Sequence, residues 1–483
     1  LTIFGTIRRN LFFKIKSEIV LIDSSGYTGK ILIGLVFLQI FLNLIGALAP
    51  ELSFDTLWYH LTLPKLYLSW GEIRFPPGNL LPWGIPRLGE VWYLLSLAVD
   101  HSGTAAKLLH LAAGVVSLAL IYQIAKRYSP PFFSFLVALA WYSSLSVSWM
   151  STTAYVDLFS AMFILLGVWR LMVNSNLILV GILFGVAASC KLIYLFPAIA
   201  IFGWLVLRNE KTVNGFKNGL TYMGAVVIPI IPWLLISVVR TGDPIYPLLT
   251  YQPGDVVAPA VQFLSKLFSL PAAIWSWTFH PDTPISPVYL ALLPLVILSW
   301  KKLNDNAKEI LVLGGLITIS TWFFPEFTNR YLLPGTAVIS IGLAALIASV
   351  RRRFRAVIVL FVFTIAILNI SSRVLAERKS LNFLLGQETR NDYLMENLNF
   401  TFGDFFDDQG KIAAITGSQP ALVDGIHNLF YIDFPFDHIS WAETGRKYPF
   451  ILADEKQAGK YAKLPVVYQN NITHVVLFAN NDQ

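Results

Sequence analysis

A chain of 483 residues with 55% hydrophobic and 13% charged side chains carries about half the charge of a soluble domain, where roughly 25% is usual; disorder is excluded and a soluble enzyme fits poorly. One cysteine, Cys190, excludes an internal disulfide, a cysteine-based zinc site and an iron–sulfur cluster. The net charge of +7 follows from where the basic residues fall along the chain, and it requires no nucleic acid.

The residues before 31 hold Arg8, Arg9, Lys14 and Lys16. They read as a basic amphipathic helix on a membrane surface rather than a cleavable signal. About 20 apolar residues cross the hydrocarbon core of a bilayer. Such stretches recur near 31–49, 104–125, 131–149, 156–173, 175–190, 192–207, 219–239, 286–300, 310–325, 331–350 and 356–372, eleven in all. Cytoplasmic loops collect Lys and Arg. With the N-terminus in the cytoplasm, 18 of the 26 Lys and Arg in residues 1–371 fall inside, and 10 of the 15 acids fall outside. The opposite orientation inverts both biases.

Three sizeable segments then lie outside: 50–103, 240–285 and the tail 373–483. The tail holds 14 of the 29 acids and 10 of the 36 bases. Its strand-like runs, Lys411–Thr416 and Thr473–Phe478, and turns such as Ser418–Pro420 predict a small α/β domain. The expected fold is therefore mainly α: a polytopic membrane domain of about eleven helices, 1–372, followed by a soluble outer domain, 373–483. No short repeat, low-complexity block or Gly-rich phosphate loop interrupts it.

A loop of more than about 15 residues usually carries function, which directs attention to 50–103. It opens with Glu51 and Asp55, and Trp58, Leu61, Tyr67 and Trp70 recur at helical spacing, as in a helix lying in the interface. Asp55, with the Trp58-Tyr59-His60-Leu61 stretch and Pro64-Lys65-Leu66-Tyr67 behind it, resembles the first outer loop of GT-C fold membrane glycosyltransferases. The group is that of the bacterial relatives of dolichyl-phosphate-mannose protein mannosyltransferases and lipid A aminoarabinose transferases. Four further segments, in order, resemble the same family: Thr153–Asp157, Ala187–Lys191, Arg240–Pro247 and Asn329–Pro334. Many members carry two adjacent acids in the first loop; here Asp55 is followed by Thr56, with Glu51 four residues back.

The resemblance implies a catalytic membrane domain over 1–372 that transfers a sugar from a polyprenyl-phosphate carrier to a protein, lipid or glycan acceptor on the outer face of a prokaryotic cell membrane. Such a reaction needs a carboxylate as general base and fixed cations for the lipid phosphate it releases. Asp55 is the first choice for the base; the plainer role is a cap on a helix starting at Thr56. Asp157, at the mouth of a span, is the second catalytic candidate, with an ordinary helix-terminal acid as its alternative. Arg330 leads the phosphate binders because its fork meets two oxygens; Lys191 and Arg240 follow, and snorkelling to the interface is the alternative for all three. His60, Tyr59, Tyr331 and Tyr246 complete the substrate-binding set, against a background of interfacial aromatics. Glu51 and Glu326 rank lower, as hydrated loop acids.

No histidine pair has zinc spacing; a divalent cation held by carboxylate oxygens is neither required nor excluded. Asn399 and Asn471 begin glycosylation sequons too short to carry weight. A transporter or flippase, a polymerase or ligase of lipid-linked polysaccharide, and a non-catalytic assembly protein are the competing classes. The first is expected to show paired inverted halves, which this sequence lacks. The orientation has a direct test: a cysteine placed at Ser418 is expected to react with an impermeant thiol reagent on intact cells, and one at Asn306 to be protected. Reversed labelling would overturn the orientation.

Overall fold

The computed structural model describes residues 26–480 except 75–76, 81–86, 174–175, 209–211, 245, 247–258, 281–282, 325–326 and 444. The basic N-terminal segment and Glu326 therefore lie outside the described residues. Helices dominate: α1 (Tyr27–Leu48), α2 (Thr62–Trp70), α3 (Leu88–Leu97), α4 (Thr104–Ala125), α5 (Pro131–Tyr142), α6 (Leu145–Met150), α7 (Asp157–Val173), α8 (Leu177–Cys190), α9 (Leu195–Arg208), α10 (Thr212–Val227), α11 (Ile231–Thr241), α12 (Pro259–Phe279), α13 (Pro287–Ser299), α14 (Asp305–Trp322), α15 (Leu333–Ser349) and α16 (Arg352–Ala376).

Each of the eleven apolar stretches lies on a helix or on a pair of consecutive helices. Length is a separate matter. By length and composition, four described helices suffice to cross a membrane, and a fifth crossing arises if Val213–Val227 and Ile231–Thr241, bent by 60°, act as one span. The bend falls where Pro229 and Pro232 remove two backbone donors from the helical ladder. The chain is thus an integral membrane protein whose helices are in part short or broken, and the count of eleven crossings goes beyond what helix length supports.

Burial sorts the bundle. The span Asn329–Ser349 is 83% buried inside the protein and Arg352–Ala376 only 28%, so α15 is central and α16 peripheral. The outward faces of α1 and α16 expose Phe37, Phe41, Leu360 and Leu368, as expected of surfaces that meet lipid. Helices α8 and α10 approach most closely through Gly181 and Gly185. A Cβ at Gly181 would lie 2.3 Å from the Tyr222 carbonyl oxygen, and one at Gly185 2.2 Å from that of Val226. Small residues four apart allow this backbone contact.

The segments expected as outer loops are structured. Between α1 and α4 the chain forms a π-turn, Thr56–His60, then α2 and α3. Segment 240–285 contains the 21-residue helix α12. Lys266 on α12 donates to the carbonyls of Trp322 (3.1 Å) and Phe324 (2.6 Å), and Trp277 packs against Trp322 with ring centroids 5.6 Å apart, which holds α12 to the end of α14.

The tail begins with α17 (Arg378–Leu384) and α18 (Arg390–Asn397), whose Tyr393 and Leu394 belong to the same hydrophobic core as the bundle. A five-stranded mixed sheet follows, in the order β2 (Phe436–His438), β1 (Ala421–Asp424), β3 (Phe450–Asp454), β5 (Val475–Ala479), β4 (Val466–Asn470). The pairs β1–β2 and β1–β3 are parallel; β3–β5 and β4–β5 are antiparallel. The strand expected near 473–478 is β5, whereas Lys411–Thr416 is a helix. The correction has a local cause: the Asp407 carboxylate accepts from the Ile412 and Ala413 N–H groups at 2.9 and 2.8 Å, satisfying a helix terminus that short-range alternation does not reveal. The sheet domain docks on the first outer loop. Lys65 Nζ donates to the carbonyls of Phe430 (2.7 Å) and Ile432 (2.8 Å) and to Asp433 (2.7 Å), and Tyr431 donates to the Glu51 carbonyl at 2.8 Å.

The α8–α10 contact is testable. Gly185→Ala forces two backbones apart, at a cost of about 1–3 kcal/mol, and should lower the melting temperature in detergent. Gly203→Ala, where a Cβ meets nothing within 4 Å, is the control and should leave it unchanged.

Candidate active site

The site is built where four breaks between helices meet at one end of the bundle. After α1, the Glu51 carboxylate accepts from the Leu52 and Ser53 N–H groups, both at 2.9 Å, and from Ala154 at 2.9 Å. This tightens the first turn of the loop and ties it to the segment ahead of α7. Asp55 follows, before the π-turn. Its side chain makes no capping bond; it accepts instead from Arg330 and, at 3.3 Å, from the Tyr59 hydroxyl. Arg330 stands on a short 3-10 turn, Asn329–Leu332, held outside α15 because Pro334 starts that helix.

Lys191 occupies the break between α8 and the 3-10 turn Leu192–Tyr194, in an extended conformation (φ −156°, ψ 116°). Its Nζ reaches both carboxylate oxygens of Asp157, at 3.1 and 3.2 Å. Asp157 is the first residue of α7, where a helix dipole favours an anion, and its side chain is completely buried. The aromatic rings are cation faces. Lys191 Nζ lies 4.4 Å from the Tyr331 centroid, and the Arg330 guanidinium 4.7 Å from that of Tyr155. Both distances are within cation–π range.

These residues enclose a cavity of about 390 Å³ lined by Asp55, Trp58, Tyr59, Lys191, Arg330 and Tyr331, with Ile193, Phe324 and Phe327 as apolar wall. Asp157 stands behind Lys191 rather than on the lining. A second cavity, of about 500 Å³, adjoins through Phe327, Thr328 and Arg330 and is lined by Trp149, Trp277, His280 and Trp322. Burial raises the Asp55 carboxyl, but the Arg330 guanidinium, with lesser help from His60 and Lys191, outweighs it and holds Asp55 below the usual carboxylate range. Asp55 is therefore ionised at neutral pH. Each of the two acids already has a cationic partner, and among the described residues no three His, Cys, Asp or Glu side chains come together as a metal site.

The structure thus brings together Asp55, Asp157, Lys191, Arg330, Tyr59 and Tyr331. It does not bring in the other three. His60 is buried and turned away, its Nδ1 2.8 Å from Glu90. Burial pulls its imidazole below the usual value despite that carboxylate. Arg240 is exposed at the end of α11, which Gly242 terminates in a left-handed conformation (φ 76°), and Tyr246 is half-buried in the following turn; neither lines the cavity.

Sequence reasoning passed over the support beneath it. Glu90 and Arg87 are both buried, 3.7 Å apart, and Arg87 lies 5.4 Å from the Tyr59 ring centroid; an acid and a base three residues apart in an otherwise aromatic loop were the available signal. Glu51 is only 1% exposed, so its reading as a hydrated loop acid is wrong.

No protein-family model and no curated protein matches this chain. Two solved structures do. ArnT from Cupriavidus metallidurans in the apo state superposes with a TM-score of 0.64 at 12% identity, over 95% of this chain and 98% of that one. The same protein bound to undecaprenyl phosphate superposes with a TM-score of 0.58 at 13% identity, over 95% and 99%. The chain shares the fold of ArnT over nearly its whole length.

The Lys191–Asp157 pair generates a stability prediction. Lys191→Met strands a buried carboxylate and should cost about 3–5 kcal/mol, read as a lowered melting temperature. Lys191→Met combined with Asp157→Asn removes both charges and should recover most of the loss. Equal destabilisation by the single and double variants would show that the two charges do not interact.

Proposed function

We propose that the protein is a membrane glycosyltransferase that moves a sugar from a polyprenyl-phosphate carrier to an acceptor hydroxyl at the outer face, with Asp55 as general base. The observation that carries this reading is one carboxylate and two cations, Asp55, Lys191 and Arg330, facing one aromatic-walled cavity at the outer ends of apolar helices. The fold shared with ArnT, which has been solved with undecaprenyl phosphate bound, supports a lipid phosphate as the leaving group. The eleven-span arrangement with the N-terminus inside and the sheet domain outside belongs to the same proposal.

The residues divide the reaction simply. Lys191 and Arg330 hold the donor phosphate, and Arg330 has a donor to spare, since its Nε is buried without a partner among the described residues. The acceptor oxygen attacks the anomeric carbon as its proton passes to Asp55. The bond from that carbon to the phosphate oxygen breaks, and its electron pair stays on the phosphate, whose added charge the two cations stabilise. Displacement in one step inverts the anomeric centre. Arg330 couples the two halves: while it pairs with Asp55 it weakens the base, and a phosphate that draws the guanidinium away restores it.

Asp55→Asn keeps the size and the bond from Arg330 but cannot take a proton. It should lower turnover by about 100-fold or more in an assay with purified protein and a polyprenyl-phosphate sugar, leaving donor binding largely intact. Full activity would remove Asp55 as the base. Arg330→Gln should weaken donor binding and also shift the acid limb of the kcat/KM–pH profile upward, because Asp55 loses the cation that lowers its carboxyl while the burial that raises it stays. An unmoved limb would dissociate Asp55 from the profile.

A further inference from the structure

A third cavity, of about 430 Å³, lies where α1 ends and the following loop begins, and Glu51, Lys107, Arg373, Glu377 and Lys379 are among its lining. Four of these five are buried or nearly so: Glu51, Lys107 and Glu377 are at most 4% exposed, and the Arg373 side chain is 12% exposed. Ionisable groups at membrane depth are costly and mark function by default.

The hydrogen-bond inventory shows which kind of ligand the cavity lacks. Both carboxylates take hydrogen bonds from the protein. Glu51 accepts from three backbone N–H groups, and Glu377 accepts from Arg373 through Oε1. The cations keep donors in hand. Lys107 Nζ, with three donors, meets the Ala49 carbonyl at 2.6 Å and that of Pro50 only at 3.4 Å. Arg373 donates to the Thr152 hydroxyl at 2.9 Å, and its Nε is buried without a partner among the described residues. Lys379 is exposed at the rim and makes no hydrogen bond to a described residue. With spare donors buried on Lys107 and Arg373 and a third cation at the rim, the cavity suits an anion with several oxygens. Gly46 lets the Glu377 carboxylate sit against α1: a Cβ there would come within 2.4 Å of it.

The walls identify the anion's carrier. Helices α1 and α16 border the cavity, and at its level they expose Leu48, Val374 and Leu375 outward, an apolar surface beside a cationic cleft. We propose that this cavity is a second anion site, separate from the candidate active site, that takes the phosphate of an anionic lipid whose chains lie against α1 and α16. The assignment does not depend on the glycosyltransferase reading.

The test uses the full-length purified protein in detergent, with phosphatidic acid, phosphatidylcholine of the same chains, or inorganic phosphate added. Bound lipid is counted by native mass spectrometry and stability is read by thermal shift. Phosphatidic acid should bind and stabilise at concentrations where phosphatidylcholine does not. Lys379→Ala, at the exposed rim, should weaken that binding by about tenfold, and Arg373→Lys should also weaken it. Arg330→Ala should leave it intact. Loss of binding in the Arg330 variant would place the lipid in the active-site cavity and overturn the proposal, as would equal binding of phosphatidylcholine or insensitivity to Lys379→Ala. Equal stabilisation by inorganic phosphate would overturn the lipid as its source.

Discussion

An ionised side chain persists at the edge of an apolar phase only where an opposite charge or a set of aligned dipoles meets it. That constraint organises the end of the bundle that carries the candidate site. Asp55 is met by Arg330, 275 residues later in the chain, Asp157 by Lys191, and Glu51 by three backbone N–H groups. Each pairing joins segments that the helices alone would leave unconnected. The first loop is fastened to the start of α15, the start of α7 to the end of α8, and the mouth of α1 to the segment before α7. The helices supply mass and orientation, and the charges at their ends decide which helix ends converge.

The same pairs explain why the cavity exists. Tight packing around a buried ion pair would be expected to exclude ligands, yet here the cations lie against ring faces, Tyr155 and Tyr331, rather than inside a mesh of carboxylates. A ring satisfies a cation from one side only and leaves its hydrogen-bond donors directed elsewhere. Arg330 keeps, among the described residues, an Nε without a partner for that reason.

The site was legible in the sequence to the extent that charge is rare in it. Asp55, Asp157, Lys191 and Arg330 stand out because charged residues are sparse around them, and the structure gathers all four. Glu90, Arg87 and His60 were harder to read because their meaning lies in a three-way contact folded under Tyr59. The burial of Glu51 is hidden in the sequence because its partners are backbone N–H groups, which no residue name announces. The helix at Lys411–Thr416 is hidden for a related reason: its start is set by the side chain of Asp407, upstream of the alternating run. Helix positions were legible, since an apolar run shows itself. Helix lengths were not, since breaks at Ser143–Ser144 and Ile228–Ile230 depend on local turns inside apolar runs.

Lys65 finds all three of its partners between Phe430 and Asp433, and Tyr431 closes on Glu51. The clasp closes across at least 365 residues of chain, so the loop between α1 and α4 keeps an unsatisfied lysine and an uncovered aromatic face until the sheet domain has folded. Folding of that domain is thus the latch on this end of the helices.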